Sequence, residues 1–246
     1  MGEHEVQVQA DYEYADVSFD GISIVESKHS KLSLLWAGKH LHSWRYRRVK
    51  RAIDFFGAFV MISIAFLPGL LIAAAVALTS EGPIFYREFR IGRGGRPFQI
   101  WKFRSMCKKV ERQILVKAGN ADGTFLHWRV HKNCADPRIT KVGGFLRRWS
   151  LDELPQLFNV LRGEMSLVGP RPVIAAEIPM YGHLRHFYLA AAPGLSGLWQ
   201  VSGRSNSNFA VRADLDAFYV RNWSLRSDFV ILLRTIPAVL GRVGAR

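Results

Sequence analysis

Cysteine is scarce in this chain of 246 residues, which contains only Cys107 and Cys134. Their spacing matches neither a metal-binding motif nor the paired pattern of a small disulfide-rich domain. Two inert thiols in a reduced, cytosolic setting are the simplest interpretation. The N-terminal residues also lack the basic and then apolar succession of a cleavable signal peptide, so no such peptide is expected.

Two parts of the chain lack lysine and arginine. Residues 1–27 contain seven acidic residues but no lysine or arginine, and residues 55–80 contain no charged residue at all. The other 13 acidic residues face all 34 lysines and arginines, so the body is far more basic than the overall charge of +14 suggests. A basic body favours an anionic partner, such as lipid headgroups, nucleotide phosphates or nucleic acid. A generally basic, solvated surface is the alternative.

The uncharged segment is long enough to cross a bilayer, for which about 20 apolar residues suffice. However, Pro68 removes a backbone donor in its middle and bends a helix there. Basic residues also flank both ends, and basic flanks favour the cytoplasm. We therefore predict that residues 52–80 form a helix that enters the membrane, breaks at Leu67-Pro68 and returns to the same face. A true span and a soluble core helix are the alternatives.

The rest of the chain is divided by composition. Residues 1–30 form an acidic leader that we expect to be disordered, with a strand at residues 6–9 as the alternative. Residues 31–51 form a basic and aromatic collar, which is typical of the edge of a membrane segment. Residues 81–246 are predicted to form a compact domain of the α/β class, rich in helix, with a small sheet and surface amphipathic helices.

Local patterns place some elements of this domain. Residues 83–86 and 97–101 are predicted to be the strands of a hairpin. The glycine-rich residues 92–96 are interpreted as its turn, because a phosphate loop would be followed by a helix. Helices are predicted over residues 151–161 and 177–189.

Two further stretches are less sharply defined by pattern. Residues 107–135 are polar and expected to be helical in part. Residues 228–243 are apolar with two arginines, a composition that suits either the bilayer surface or the core.

An adjacent acidic pair, Asp152 and Glu153, lies in the run LRRWSLDELPQLFNVLRGEMSLVGPRP at residues 146–172. Pro155 suits the first turn of a helix, which would make Asp152 an N-cap. Ser150 and Glu153 also have the spacing of a capping box. A purely structural role is therefore one interpretation of the pair.

The surrounding arginines favour a chemical role. Arg147 and Arg148 precede the pair, and Arg171 lies between two prolines that restrict its backbone. A carboxylate can attack phosphorus and form an acyl phosphate, and a neighbouring carboxylate can hold Mg²⁺. Arginines bind the oxygens of phosphate in bidentate geometry. The run therefore predicts chemistry on a phosphorylated substrate.

Several ordered motifs extend this pattern over most of the chain: KRAID (50–54), GPIFY (82–86), RIGRGG (90–95), KFRSM (102–106), DPRIT (136–140), SLDELPQL (150–157), GPRP (169–172), PGLSGLWQ (193–200) and NWS (222–224). Together they resemble the bacterial sugar transferases, the monotopic polyprenyl-phosphate phosphoglycosyl transferases that start glycan assembly on a lipid carrier. The C-terminal third is most similar to the undecaprenyl-phosphate galactose phosphotransferases of exopolysaccharide synthesis. Ser105 and Glu164 stand where the family often has Thr and Asp, and Leu67-Pro68 stands where it often has Ser-Pro.

The resemblance implies a reaction. A sugar-1-phosphate, expected to be galactose-1-phosphate, would pass from a UDP-sugar to undecaprenyl phosphate with release of UMP. Glucose or an N-acetylated amino sugar is the alternative. Asp152 would be the nucleophile, and Glu153, together with Asp152, would bind Mg²⁺. The implied phosphate-binding residues are Arg147, Arg171, Lys102 and Arg104, with supporting roles for Arg148, Asp214 and Asp216.

The resemblance also implies partners and a location. The expected partners are the UDP-sugar, undecaprenyl phosphate and membrane lipids, and a homodimer is compatible with the sequence. The catalytic domain would lie on the cytoplasmic face of the inner membrane. The competing hypothesis is a non-enzymatic, membrane-anchored protein that binds nucleic acid or anionic lipid. Nucleic acid is not expected, because Asp152 and Glu153 would repel a polyanion unless a metal lay between them.

Overall fold

The computed structural model describes residues 18–19, 22–23, 44–107, 138–202 and 209–241. Residues 1–36 form a unit of their own, in which β1 (Ser18–Phe19) pairs antiparallel with β2 (Ile22–Ser23). The strand considered at residues 6–9, most of the collar, and residues 108–135 with their predicted helix lie outside the described residues.

The longest element is α1 (Trp44–Thr79), a helix of 36 residues that includes the whole apolar segment up to Thr79. The hydroxyls of its apolar segment bond within the helix, as when Ser63 Oγ donates to the Phe59 carbonyl and Thr79 Oγ1 to the Ala75 carbonyl. Within the described part of the chain, residues 48–79 form the one helix that is long and apolar enough to cross a membrane. The helix continues through Pro68, so the reversal predicted there stays a prediction.

A hairpin follows α1, with β3 (Phe85–Ile91) antiparallel to β4 (Pro97–Phe103). In the turn between them Gly94 and Gly95 have φ angles of 68° and 77°, which are costly for residues with a side chain. The predicted hairpin and the interpretation of residues 92–96 as a plain turn are confirmed.

The remaining elements are mostly helical and form one unit with α1 and the hairpin. In chain order they are α2 (Lys141–Arg148), a 3₁₀ turn (Leu151–Glu153), α3 (Gln156–Arg162), β5 (Ser166–Val168), two 3₁₀ segments (Ala175–Glu177 and Pro179–Leu184), α4 (Arg185–Ala190), β6 (Gly194–Ser196), α5 (Leu198–Val201), α6 (Phe209–Arg221) and α7 (Leu225–Leu240). β5 and β6 are parallel. A helix-rich α/β fold with small sheets is confirmed.

One predicted helix is wrong as a continuous element. Residues 177–189 are split into 3₁₀ turns and the short helix α4, because Gly182 adopts φ 50° and ψ −127°, which no helix accommodates. The other predicted helix, over residues 151–161, corresponds to the turn Leu151–Glu153 followed by α3.

The apolar C-terminal stretch lies mainly in α7, which has two different faces. Ile231 is buried, and Thr235 Oγ1 lies 2.5 Å from Ser196 Oγ of β6, so one face packs on the domain. On the other face large apolar side chains are exposed, namely Phe229, Leu233, Ile236 and Leu240. From the sequence, this stretch could either pack in the core or lie on the bilayer surface. In the structure one side of α7 packs on the domain, and the opposite side exposes apolar surface.

Both ends of α1 pack against the domain that follows it. Near its start Asp54 and Ala58 are buried, with Asp54 bound to β5. Near its end Val76 forms a buried cluster with Phe103 of β4 and Leu146 of α2. Between these contacts most large side chains are exposed, including Ile64 (74 %) and Leu71 (66 %). The apolar middle of α1 therefore lies outside the protein core while its two ends are anchored to one domain.

Candidate functional site

The acidic pair lies in the 3₁₀ turn Leu151–Glu153, between α2 and α3. Ser150 enters the turn with φ 54°, a left-handed conformation that is uncommon for a residue other than glycine. No side chain caps the start of this turn, and α3 begins only after Pro155. The predicted N-cap at Asp152 and the capping box of Ser150 with Glu153 are therefore wrong, because the i to i+3 turn ends before the helix starts.

The carboxylate of Asp152 is buried, with 8 % of the residue exposed. Burial raises its pKa above the ordinary value, and the charge of Glu153 raises it further, whereas Lys102 and Arg147 act in the opposite direction. A poorly hydrated carboxylate beside two cations can serve as a nucleophile towards an anionic electrophile, because the cations attract the substrate that the carboxylate attacks.

The second acid of the pair is held by a lysine. Lys102 Nζ of β4 donates to Glu153 Oε1 at 2.8 Å. The spacing between β4 and α3 is fixed by Asn159, a fully buried residue whose amide donates to the Gln99 carbonyl at 2.7 Å and accepts from the Trp101 N–H at 3.1 Å. Asn159 therefore positions the strand that carries Lys102 against the helix that follows the acidic pair.

A cleft next to the acidic pair is lined by charged side chains from three parts of the fold. Arg90 and Lys102 come from the hairpin, Glu153 from the 3₁₀ turn and Arg171 from the loop after β5. Gln156 of α3 also lines it. Among the described residues, three cations and one carboxylate face this space, which makes it suitable for a ligand with several negative charges.

Arg171 is placed by close contact between two glycine motifs. Gly169 N donates to the Ser196 carbonyl at 2.9 Å, and Gly194 N donates to the Pro170 carbonyl at 2.8 Å. A Cβ added to Gly194 would lie 2.1 Å from Gly169 N, so only bare backbone fits between the GPRP loop and the start of β6. The backbone of Arg171 is therefore restrained by this packing as well as by the two prolines that flank it.

Asp216 of α6 lies fully buried behind the Arg171 loop. It accepts hydrogen bonds from the Arg171 N–H and from Tyr181 Oη, the latter at 2.8 Å, and lies 3.8 Å from Arg212 Nε. Burial raises its pKa to about 7, although Arg212 and the two hydrogen bonds lower it. Through its hydrogen bond from the Arg171 N–H, Asp216 can hold the backbone of Arg171 in place.

The other charged residues predicted near the site have different environments. Arg147 lies in the last turn of α2, and its buried Nη1 has no hydrogen-bond partner within the described ranges. Arg148 is exposed. Asp214, by contrast with Asp216, is exposed on α6 and interacts electrostatically with Arg221.

Arg104 does not join the cleft. Its buried guanidinium donates to the carbonyls of Val76 at 3.1 Å and Ser80 at 2.6 Å, and also to that of Pro83. It therefore binds carbonyls at the C-terminal end of α1, which no further helical turn can satisfy. This arrangement corrects the expectation that Arg104 binds a substrate phosphate, because its donors are occupied by the backbone.

A buried ionic cluster at the start of α1 has no motif in the sequence that predicts it. Lys50 Nζ lies 2.7 Å from Asp228 Oδ2 and 3.7 Å from Asp54 Oδ1. Asp228 also accepts from Tyr219 Oη at 2.7 Å and Trp223 Nε1 at 3.0 Å. The i, i+4 spacing within KRAID was the only available signal, and it could not reveal the partner in α7. The cluster joins α1 to α6 and α7.

The donor set is compatible with magnesium. Among the residues that the structure describes, no group of three or more His, Cys, Asp or Glu could enclose a metal ion. Mg²⁺, however, usually takes only one or two carboxylates from a protein and completes its shell with substrate phosphates and water. Asp152 and Glu153 can supply those two carboxylates.

A family model and several known proteins match this chain over most of its length. The model of the bacterial sugar transferase family matches residues 45–242. The chain is 45% identical over 192 residues to the exopolysaccharide production protein ExoY of Sinorhizobium fredii, covering 77% of this chain and 84% of that protein. It is 46% identical to the UDP-galactose-lipid carrier transferase of Erwinia amylovora, with coverage of 83% and 42%. It is 41% identical to the UDP-glucose:undecaprenyl-phosphate glucose-1-phosphate transferase of Caulobacter vibrioides, with coverage of 78% and 69%. The match therefore covers most of two of these relatives but less than half of the Erwinia protein.

Proposed function

Because the chain belongs to the bacterial sugar transferase family, we propose that it transfers a sugar-1-phosphate from a UDP-sugar to undecaprenyl phosphate and releases UMP. The observation that carries this proposal is the buried carboxylate of Asp152 beside Glu153, Lys102 and Arg147, next to a cleft with three cations. The names of the relatives support a lipid carrier as acceptor. The role fits the first membrane step of exopolysaccharide assembly.

The reaction proceeds in two displacements at one phosphorus atom. An oxygen of Asp152 attacks the β-phosphorus of the donor, and the bond between that phosphorus and the oxygen bridging to the α-phosphate breaks. The bridging oxygen leaves with UMP, and the sugar phosphate remains on Asp152 as an acyl phosphate. An oxygen of undecaprenyl phosphate then attacks the same phosphorus and displaces the carboxylate, which gives the polyprenyl-diphosphate sugar and restores Asp152.

The side chains around Asp152 have distinct roles in this proposal. Lys102, Arg147 and Arg171 hold phosphate oxygens, and Asp216 fixes the backbone of Arg171. Glu153, with Asp152, would hold Mg²⁺, which supplies charge neutralisation at the diphosphate when it is bound.

The transferred sugar is proposed to be galactose. The C-terminal motifs and the Erwinia relative, named for UDP-galactose, support this choice. Glucose is the main alternative, because the Caulobacter relative of similar identity is named for UDP-glucose.

The membrane placement follows from the anchoring of α1. If the apolar middle of α1 crossed the bilayer, the domain would have to contact the helix on both membrane faces, since its two ends pack on the same unit. A helix that enters and returns to the cytoplasmic face of the inner membrane avoids this conflict. It also keeps the basic flanks on one side and lets the exposed apolar face of α7 contact lipid.

This placement predicts the accessibility of the two flanks of α1. In a cysteine-free background, Arg48→Cys and Glu81→Cys should react with a membrane-impermeant maleimide only after the cells are opened, because both positions would be cytoplasmic. A cysteine placed in an exported protein serves as the positive control. Labelling of either position in intact cells would contradict the re-entrant arrangement.

The role of Arg171 predicts that charge alone is insufficient. Arg171→Lys should lower kcat/KM by roughly 10²-fold, nearly as much as Arg171→Ala, because lysine cannot bind two phosphate oxygens in one plane. UMP release at subsaturating UDP-sugar measures this ratio. If Arg171→Lys retained close to wild-type kcat/KM, the bidentate contact would be excluded.

The proposed reaction is tested by UMP release from protein held in nanodiscs, with Mg²⁺, a short-chain polyprenyl phosphate and a panel of UDP-sugars. We expect UMP with UDP-galactose, less with the other sugars, and none when a chelator removes the divalent ion. Folded protein that released no UMP with any member of the panel would contradict the proposal.

A further inference from the structure

We propose that Arg90 is a further phosphate-binding residue of the cleft, an inference that rests on the phosphate chemistry proposed above. The residue belongs to neither the acidic-pair motif nor the GPRP motif, and sequence analysis gave it no role in binding. Three observations carry the inference: its place in the cleft beside two other cations, an unused donor and the carboxylates that hold its guanidinium in place.

The register of the hairpin places Arg90 on the same face as Lys102. Arg90 pairs with Phe98 and Lys102 pairs with Tyr86, so both side chains are on one face of the ladder, with the pair Glu88 and Ile100 between them. Both line the cleft together with Arg171. A backbone bridge between Ile91 N and the Val173 carbonyl, at 2.9 Å, fixes the strand of Arg90 next to the segment that follows Arg171.

The contacts of Arg90 hold its guanidinium in place without using all of its donors. Nη2 donates to Glu88 Oε2, and Nη1 lies 4.0 Å from Glu177 Oε2. The Nε atom is buried and has no hydrogen-bond partner within the described ranges. An N–H that is removed from water without an acceptor is unfavourable, and an anion in the adjacent cleft would provide that acceptor.

The carboxylate of Glu177 is shared between two arginines. Its Oε2 lies near Arg90, its Oε1 lies 3.8 Å from Arg212 Nη1, and it also accepts the Ile174 N–H at 3.1 Å. Arg90 also pairs with Glu88, and Arg212 with Asp216, so Glu177 is one of several carboxylates that hold the two guanidinium groups in place. The positive charge that a phosphate group would balance comes from Arg90 together with Lys102 and Arg171, the three cations that line the cleft beside one carboxylate.

The phosphate could belong to the UDP-sugar or to the prenyl phosphate, and binding measurements separate the two. We would titrate wild type, Arg90→Gln and Arg90→Lys, held in nanodiscs with Mg²⁺, with UDP and separately with a short-chain prenyl phosphate by calorimetry. Arg93→Gln is the matched control, because Arg93 is an exposed arginine in the turn of the same hairpin. The unfolding midpoint of each variant is measured alongside.

Arg90→Gln should weaken the binding of one ligand by roughly 10- to 100-fold, the cost of a lost charge-assisted hydrogen bond, while Arg93→Gln stays at the wild-type affinity. Loss for UDP assigns Arg90 to the donor, and loss for the prenyl phosphate assigns it to the acceptor. If Arg90→Gln unfolds more easily, Arg90→Lys, which keeps the positive charge beside Glu88 and Glu177, decides the question by the same criterion.

The inference and the proposed function fail in different ways. Wild type that binds UDP and releases UMP, together with an Arg90 variant of unchanged affinity for both ligands, would overturn the role of Arg90 alone. Wild type that binds neither ligand and releases no UMP would overturn the proposed function, and the role of Arg90 with it.

Discussion

Asp152→Asn should lower the rate of UMP release by about 10³-fold or more, because the amide cannot form the acyl phosphate on which the proposed reaction depends. The substitution is nearly isosteric, so the 3₁₀ turn and the cleft should persist. The unfolding midpoint should stay the same or rise. Burial and Glu153 raise the pKa of Asp152, which means that the folded state disfavours its charge, and a neutral amide removes that cost.

The measurement is UMP release under single-turnover and steady-state conditions, with thermal unfolding of the same preparations. Glu81→Gln is the matched control, since it also turns a carboxylate into an amide but at an exposed position just beyond α1. An Asp152→Asn variant with more than about a tenth of the wild-type rate would exclude Asp152 as the nucleophile.

The second large effect should be on stability. Lys50→Met should reduce the free energy of unfolding by about 3–5 kcal/mol, because it leaves Asp54 and Asp228 buried without their shared cation. For a domain of this size, each kcal/mol corresponds to roughly 2–4 °C in the midpoint. Methionine is unbranched like lysine and nearly as long, so the loss reflects charge more than volume.

Thermal and denaturant unfolding in detergent micelles measure this effect. Arg48→Met, on the same helix but exposed, serves as the control and should change the midpoint by no more than about 1–2 °C. The double variant Lys50→Met with Asp228→Asn should recover part of the loss, because one unpaired carboxylate is removed. A Lys50→Met variant as stable as Arg48→Met would show that the cluster does not anchor α1.

The hairpin was predictable because its signals are local. Residues 97–101 have strand character, and the preceding glycines favour a tight turn. The acidic pair was also identified from nearby arginines and prolines. These features require only the neighbouring sequence, and the structure retains Asp152, Glu153, Lys102 and Arg171 close together.

The errors in the predicted site have a common cause. Lys102 and Arg104 are two residues apart and would share a face if β4 continued, but β4 ends at Phe103 and Arg104 turns to the end of α1. The capping box at Ser150 failed for a related reason, because a tight turn replaced the expected first turn of the helix. Local spacing predicts neighbours only as long as the element persists.

The residues that sequence analysis missed depend on distant partners. Lys50 and Asp228 are 178 positions apart, and Asn159 bonds β4 across about 60 positions. Neither pairing leaves a pattern in the chain. The backbone contact between Gly169 and Gly194 likewise explains two glycine motifs only after both are seen together.

The covalent intermediate is the central claim, and intact mass spectrometry tests it most directly. Wild type incubated with UDP-galactose and Mg²⁺, without lipid acceptor, should gain the mass of one hexose phosphate, and peptide mapping should place it on Asp152. Adding prenyl phosphate should remove the adduct, and Asp152→Asn should never acquire it. Two results would contradict the account. One is wild type that releases UMP but shows no adduct at any time point sampled by rapid quenching, and the other is an adduct on another residue.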